Sequence, residues 1–473
     1  MLGRPLVSRH KGWARLLLYG LPVVLIAGAW GVIRSSRNLD LDFDWYYVDY
    51  EAIESVRLFQ EYLRIDTSPA GSELAGAEFL ARQLEAEGIS THVERLGEKN
   101  ANLWAILEGR DPKALVLHNH IDVDPVQSLR DWEHPPFGGE IELPWIFGRG
   151  AFDMKSVTIA QLMSILELKR RGEPLARSVI FLATGTEEVG SWLGTRWILR
   201  EHPDLVQRFY AVLTEGGAVE AISRDDVTYW GTEFLQKRFV DVVFCHESRQ
   251  RLLDLREDLL AAARQAQRRR LPAEVAQFFK IYSEGRILDN YRQWLRQPET
   301  LLTGPEYFEL PFHIQAMMRD ELSPFPVVED PEGGFSMQVI LHLLPGSEVE
   351  EVRAELLPEW MTFGIPASID VPHGQLGGSS LEHPVYRTLD QFMDREMPDF
   401  RSGPLFVPLS ATDARFFRAA GIPAYGFSPF LILSTDTQQM MGANERMALP
   451  AFVEGVDLYV RLVSEMVGEA PPS

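Results

Sequence analysis

Four short segments carry side chains able to act together on one bond. They are His120 and Asp122 in "HNHIDVDP", Asp153 in "GRGAFDMK", Glu187 and Glu188 in "GTEEVG", and Glu215 in "LTEGG". An imidazole binds a metal such as zinc through one nitrogen while a nearby carboxylate holds the other N–H, which sets its tautomer and basicity. His-x-Asp alone is weak evidence, because such pairs are common on surfaces and in cores. Asp153 follows a Gly-Arg-Gly turn that could hold a carboxylate rigidly enough to bridge two metals; by itself it reads as the N-cap of the next helix. Glu187 and Glu188 repel each other and would ordinarily face solvent. At the mouth of a buried strand they can divide the work, one on a metal and one as general base for water. Glu215 alone is a turn acid. Only the ordered combination lifts these residues above the bland readings, and it implies metal-activated water attacking an amide.

The elements that must position them alternate between strand and helix. Helical spacing is expected over residues 51–64, 75–87 and along "SVTIAQLMSILELKRRG", which ends at Gly172. Strand-like runs fall at 91–108, at "ALVLH", at "RSVIFLATG" and at "FYAVLTEGG", the last two each ending near one of the acids. This alternation predicts an α/β domain with a mainly parallel sheet, with ligands at the carboxyl ends of the strands. Near Val227 the pattern changes. "VTYWGTEFLQKRFVDVVF" reads as paired strands, followed by a long polar helical stretch, a strand at "SMQVILHLLPG" and a helix at "SEVEEVRAELLPEW". The expected organisation is a tail and anchor at 1–37, a first part of the α/β domain at 38–228, an inserted α+β domain at 229–374, and the second part at 375–473. The Gly- and Ser-rich "PHGQLGGSS" marks the return.

Composition narrows the partners. The chain has 473 residues, 45% of them hydrophobic, enough for a large core and two domains. It carries 46 basic and 68 acidic residues, a net charge of −22. The first 37 residues hold Arg4, Arg9, Lys11, Arg15, Arg34 and Arg37 but no acid, so the remainder stands at about −28. That balance argues against nucleic acid, which binds by having its phosphates neutralised. Leu16–Ile33 is free of charge and close to the length of a membrane span. Four basic residues precede it and two follow, so a single-pass anchor with the body on the extracytoplasmic side is expected. A signal peptide cleaved near Ala27-Gly28-Ala29 is the rival. Cys245 is the only cysteine, so no internal disulfide can form, and it reads as a small packed residue.

Taken together, these segments resemble the co-catalytic zinc peptidase and deacylase family that includes aminoacylase, acetylornithine deacetylase and carboxypeptidase S. The likeness is nearest to the N-fatty-acyl-amino-acid hydrolase branch. It runs from about residue 50 to 465 and includes "WEHPPFGGEIELPWIFGRGAFDMKS" and "ATDARFFRAAGIPAYGFSPF". The resemblance implies a zinc-peptidase-like catalytic domain with an inserted lid and dimerisation domain, one or two zinc ions per chain, and an N-acyl amino acid or peptide substrate. It leaves a homodimer open. By the same resemblance His120, Asp153 and Glu215 hold the first metal, with Asp153 bridging to a second held by Glu188. Glu187 is the base, Asp122 the partner of His120, the Asp153–Met154 peptide is cis, and Arg415 lies near the substrate carboxylate.

The sequence also departs from that family. Where the family has a second-metal histidine in a His-x-x-Asn-Glu segment, this chain has "MGANE" beginning at Met441, and a thioether suits zinc poorly. The inserted domain's carbonyl-polarising histidine has only His246, in "CHESRQR", as a candidate. Two readings follow. One is a hydrolase of amide bonds with an impaired second metal site. The other is a membrane-tethered relative that kept the fold, lost turnover and acts as a binding or scaffold protein.

Overall fold

The structure is a computed structural model that describes residues 48–223, 226–265, 268–330, 333–356, 367–370, 377–433, 436 and 440–468. The tail, membrane span and export reading expected at 1–37 lie outside the described residues, as does the boundary expected at 374. No described helix is long and apolar enough to cross a membrane.

A nine-stranded sheet organises the chain. Its strands are β1 (Thr91–Leu96), β2 (Asn100–Leu107), β3 (Asp111–His120), β4 (Arg177–Thr184), β5 (Phe209–Thr214), β6 (Ala218–Ser223), β7 (Asp226–Gln236), β8 (Ser402–Val407) and β9 (Ala424–Gly426). Their spatial order is β1-β2-β4-β3-β5-β9-β7-β8, with β6 paired to β7. The sheet is mixed. β3 runs parallel to both β4 and β5, and β9 parallel to β5, while β1, β2 and β6 pair antiparallel. The mainly parallel expectation therefore holds at the centre, where the candidate site residues lie, and again for the β7–β8 pair, and gives way at β1, β2 and β6 and where β9 meets β7.

Burial on both faces explains the near-continuous apolar runs in β3, β4 and β5. Alternate side chains enter two cores. Leu115, Leu117, Val179, Phe181, Ala211 and Leu213 face a large cluster, while Ala114, Val116, Ile180, Leu182 and Val212 face another. Helices α1 (Glu54–Leu63), α2 (Glu73–Ala86), α3 (Lys155–Arg171) and the C-terminal helix Leu449–Val467 pack on the first face. α3 stops where Gly172 takes φ 64°, a left-handed C-cap.

The second part of the chain departs from expectation. The "VTYWGTEFLQKRFVDVVF" strands do not pair with each other: β7 stays in the large sheet, past the expected boundary at 229. The next strand, Arg238–His246, joins a separate five-stranded antiparallel sheet. There Val240, Val242 and Phe244 alternate inward against Leu252, Leu255 and Leu259 of the helix Arg249–Gln265. The long polar stretch is three helices, and Val275, Phe278, Phe279 and Leu295 pack into the main core rather than the small one. Cys245 is exposed, not packed. It falls on the outward phase of its strand, between the inward Phe244 and the strand end.

A buried ion pair joins the two parts of the α/β body. Arg418 Nη1 donates to Glu233 Oε1 of β7 at 2.6 Å, and the same guanidinium donates twice to the Ala424 carbonyl at the start of β9. Both side chains are almost fully buried, at 2% and 0% exposure. Removing one member of such a pair strands the other charge, so Arg418→Met is expected to cost about 3–5 kcal/mol. The denaturation midpoint measures it, and the double variant with Glu233→Gln should recover part of the loss.

Candidate metal centre

The carboxyl ends of β3, β4 and β5 meet at one rim. His120 is the last residue of β3, Glu187 and Glu188 follow β4 in a short 3-10 turn, and Glu215 follows β5. Asp153 comes from the turn before α3, and its peptide bond to Met154 is cis, as the family resemblance implied. Within that turn Gly150 has φ 82°, and a Cβ on it would lie 2.6 Å from Val123. Only glycine lets the turn close on the loop that leaves β3.

Three predicted ligands converge. His120 Nε2 lies 3.1 Å from Asp153 Oδ1 and 3.5 Å from Glu215 Oε2. One donor atom from each of the three lies within 4.8 Å of the others. The histidine is 1% exposed, whereas Asp153 and Glu215 are 20% and 14% exposed, so the group opens to solvent on its acidic side. One imidazole and two carboxylates so placed fit a single divalent cation. The ring is already oriented for it. Nδ1 is 2.8 Å from the backbone carbonyl of Asp122, which accepts its proton and turns Nε2 towards the acids, where it carries a proton that a cation would replace.

Asp122 works differently from expectation. Its carboxylate is 3.7 Å from His120 Nδ1, and its two oxygens instead accept the N–H groups of Glu187 and Glu188, each at 3.0 Å. The carbonyl of Asp122 orients the ligand while its side chain holds the turn bearing the other two acids. Asn102 supports that turn from β2, accepting from Gly185 N and donating to Leu193 O.

Charge at this rim is crowded. Burial alone would lower His120, but the Glu215 and Asp153 carboxylates hold it well above the ordinary imidazole range. Burial and then Asp153 push Glu215 up to about 8. Glu187 is raised well above the usual carboxyl range by burial, then by Glu215 and Asp413. Burial would raise Asp153 too, yet its hydrogen bond to His120 keeps it lowered.

Several contributors went unnoticed in the sequence. Glu445, in the segment read only for Met441, accepts from Arg149 at 2.7 Å and from the N–H groups of Phe152 and Asp153. It therefore holds the Asp153 turn, and its distance in sequence hid it. Asp413 accepts from Ser191 beyond the Glu187 turn. His118, two residues before the candidate ligand, is no ligand itself: its ring meets Thr184, Thr195 and Thr214 at the strand ends, and burial lowers it to about 4. Arg415 lies near enough for its charge to lower Glu187. His246 is not brought to this group within the chain, because it ends a strand of the other sheet and its Nδ1 accepts the Ser248 N–H. Met441 has left-handed backbone, φ 56°.

Comparison with known proteins fits this arrangement. The sequence pattern of Peptidase family M20/M25/M40 matches residues 116–465, and the chain belongs to that family of metallopeptidase-like amidohydrolases. Aminoacylase-1 of Sus scrofa is 25% identical over 427 residues, 87% of this chain and 95% of its own. A succinyl-diaminopimelate desuccinylase of Methylocella silvestris is 36% identical over 161 residues, 33% of this chain and 40% of its own. In fold the chain resembles the metallo-carboxypeptidase Sso-CP2 of Sulfolobus solfataricus, with TM-score 0.65, 18% identity, and coverage of 87% of this chain and 98% of that one. The di-peptidase Dug1p of Saccharomyces cerevisiae gives 0.64 at 13% identity, covering 90% and 98%.

Two measurements test this geometry. Asp122→Ala frees the Glu187–Glu188 turn, so metal affinity should fall by about 10–100-fold in competition with a chelator while the fold persists. Metal binding must also displace the protons held on His120 and Glu215. Affinity should therefore strengthen as pH rises towards 8, with proton release visible by calorimetry in buffers of different ionisation enthalpy. A pH-independent affinity would contradict the assignment.

Proposed function

We propose that this protein is a metal-dependent hydrolase of amide bonds in N-acyl amino acids or small peptides. The observation that carries this reading is the convergence of His120, Asp153 and Glu215 donor atoms beside the Glu187–Glu188 turn. Full-length similarity to aminoacylase-1 supports an acyl amino acid as substrate. A divalent cation such as zinc held by the three residues would polarise the scissile carbonyl and make water acidic enough to attack at neutral pH.

The chain's own residues do the rest. Glu187 takes the proton from the attacking water as the new C–O bond forms, and delivers it to the amine nitrogen as the C–N bond breaks. In this reading Arg415, whose charge reaches Glu187, receives the carboxylate of the amino-acid product half. Glu188 remains beside Glu187 as a buried acid available to a cation. The separate small core under the helix Arg249–Gln265 supports reading the second sheet as a lid.

Glu187→Gln should lower turnover of N-acyl amino acids or dipeptides by about 10²–10⁴-fold with metal content unchanged. A metal-loaded wild-type protein that cleaves no member of a broad panel would overturn the catalytic reading in favour of a binding protein on the same fold.

A further inference from the structure

The loop that carries Glu187 and Glu188 is a closed unit. The Ser191 N–H donates to the Thr186 carbonyl at 2.6 Å, across the two acids, and the Ser191 carbonyl accepts from the N–H groups of Gly194 and Arg196. Displacing Ser191 therefore displaces Glu187. Ser191 is fully buried and has left-handed backbone, φ 57°. Glycine takes that conformation freely, so a side chain there costs backbone energy that its contacts must offset.

The Ser191 hydroxyl donates to Oδ1 of Asp413. Asp413 is fully buried, precedes the helix Ala414–Ala419 and makes no capping hydrogen bond to it. Its other oxygen has no hydrogen-bond partner among the described residues and lies 3.7 Å from Nε2 of His118, a ring that burial keeps neutral. Neither a helix cap nor a full ion pair accounts for so buried a carboxylate, and its hydrogen bond is spent on Ser191.

Arg415 stands two residues further on. Its N–H donates to the Thr412 carbonyl at 3.3 Å. Thr412 is fixed in turn by Gln236 at the end of β7, which accepts the Thr412 N–H at 2.9 Å and donates to the Thr412 carbonyl at 3.2 Å. The Arg415 guanidinium carbon lies 4.6 Å from the centre of the Phe416 ring, and Nε is buried with no hydrogen-bond partner among the described residues. A guanidinium so held, with a donor unused, suits a carboxylate.

We propose that the Ser191–Asp413 hydrogen bond is a strut between these two rigid segments. It fixes the spacing between Glu187 and Arg415, and so sets how many atoms can separate the scissile amide from the substrate carboxylate. Ser191 and Asp413 are positioning residues that select the substrate. The inference rests on the reading above, in which Glu187 is the base and Arg415 receives the carboxylate. An N-acyl α-amino acid has a single carbon between its amide nitrogen and its carboxylate, and an N-acyl β-amino acid has one more. A misplacement of about 1 Å can cost about 10²-fold in rate, so a strut of fixed length separates the two classes in favour of the α-amino acid.

The competing account is that Asp413 acts only through its charge on Glu187. The full chain, loaded with zinc, is assayed on N-acyl-alanine and N-acyl-β-alanine, both carrying the acyl group that the wild type cleaves fastest. Wild type should favour the α-amino acid in kcat/KM by at least about tenfold. Ser191→Gly suits the left-handed backbone and removes only the hydroxyl, and it should bring that ratio down by about tenfold. Asp413→Asn removes the charge but keeps an oxygen to accept from Ser191, so the ratio should stay near the wild-type value whatever happens to the rate. A ratio unchanged in Ser191→Gly, parallel loss of both substrates included, would overturn the strut and leave the hydrolase reading intact. So would a ratio lost as fully in Asp413→Asn, or a wild type that cleaves both substrates equally. A wild type that cleaves no N-acyl amino acid at all would overturn the reading above, and the strut with it.

Discussion

Burial of negative charge around one histidine is the constraint to which the rest of the molecule answers. Asp122, Asp153, Glu187, Glu188 and Glu215 converge at a single rim of the sheet, where desolvation opposes every ionised carboxyl. The chain meets part of that demand itself. Asp122 is held by two backbone N–H groups, and Glu445 by two more and by Arg149. Asp153 and Glu215 have His120, and Glu188 Oε1 has no hydrogen-bond partner among the described residues. An acidic pocket with one imidazole and too few donors is the electrostatic complement of a cation.

The scaffold makes that concentration tolerable. β3, β4 and β5 are packed on both faces, so their ends are rigidly placed and the loops leaving them inherit that precision. Buried side chains behind the rim then fix the loops. Asn102 clamps the Glu187 turn, Glu445 clamps the Asp153 turn, and His118 ties three threonines together beneath them. The Arg418–Glu233 pair locks the later part of the chain against the earlier one. Much of the polar hydrogen bonding in the interior thus serves to aim a few acids.

The contrast between Met441 and Glu445 separates two kinds of dependence. Glu445 supports the backbone of the Asp153 turn, a geometric role served by hydrogen bonds that cross the molecule. Position 441 is where the family resemblance implies a donor to a second metal, a demand made on the side chain itself. Supporting a turn and supplying a donor are separate demands, made on two residues four apart in one segment.

Periodicity and motif order already specified the α/β class, the parallel centre and the positions of His120, Asp153, Glu187, Glu188 and Glu215. Those features depend on local spacing: apolar runs for strands buried on two faces, and short motifs placed directly at strand ends. The pairing of β7 and Arg238–His246 was misread because adjacent strand-like runs look alike whether they join one sheet or two. The helices packed on the main core from within the inserted segment were invisible for the same reason, since the choice of core is made by contacts distant in sequence. Likewise Asp122 reads as a partner of His120 from spacing, but which of its atoms meets the ring depends on where the Glu187 turn arrives. Local sequence thus determined which groups could bind a metal. The tertiary structure decided which of them meet and which are neutralised, because burial and charge proximity arise only once distant segments are packed together.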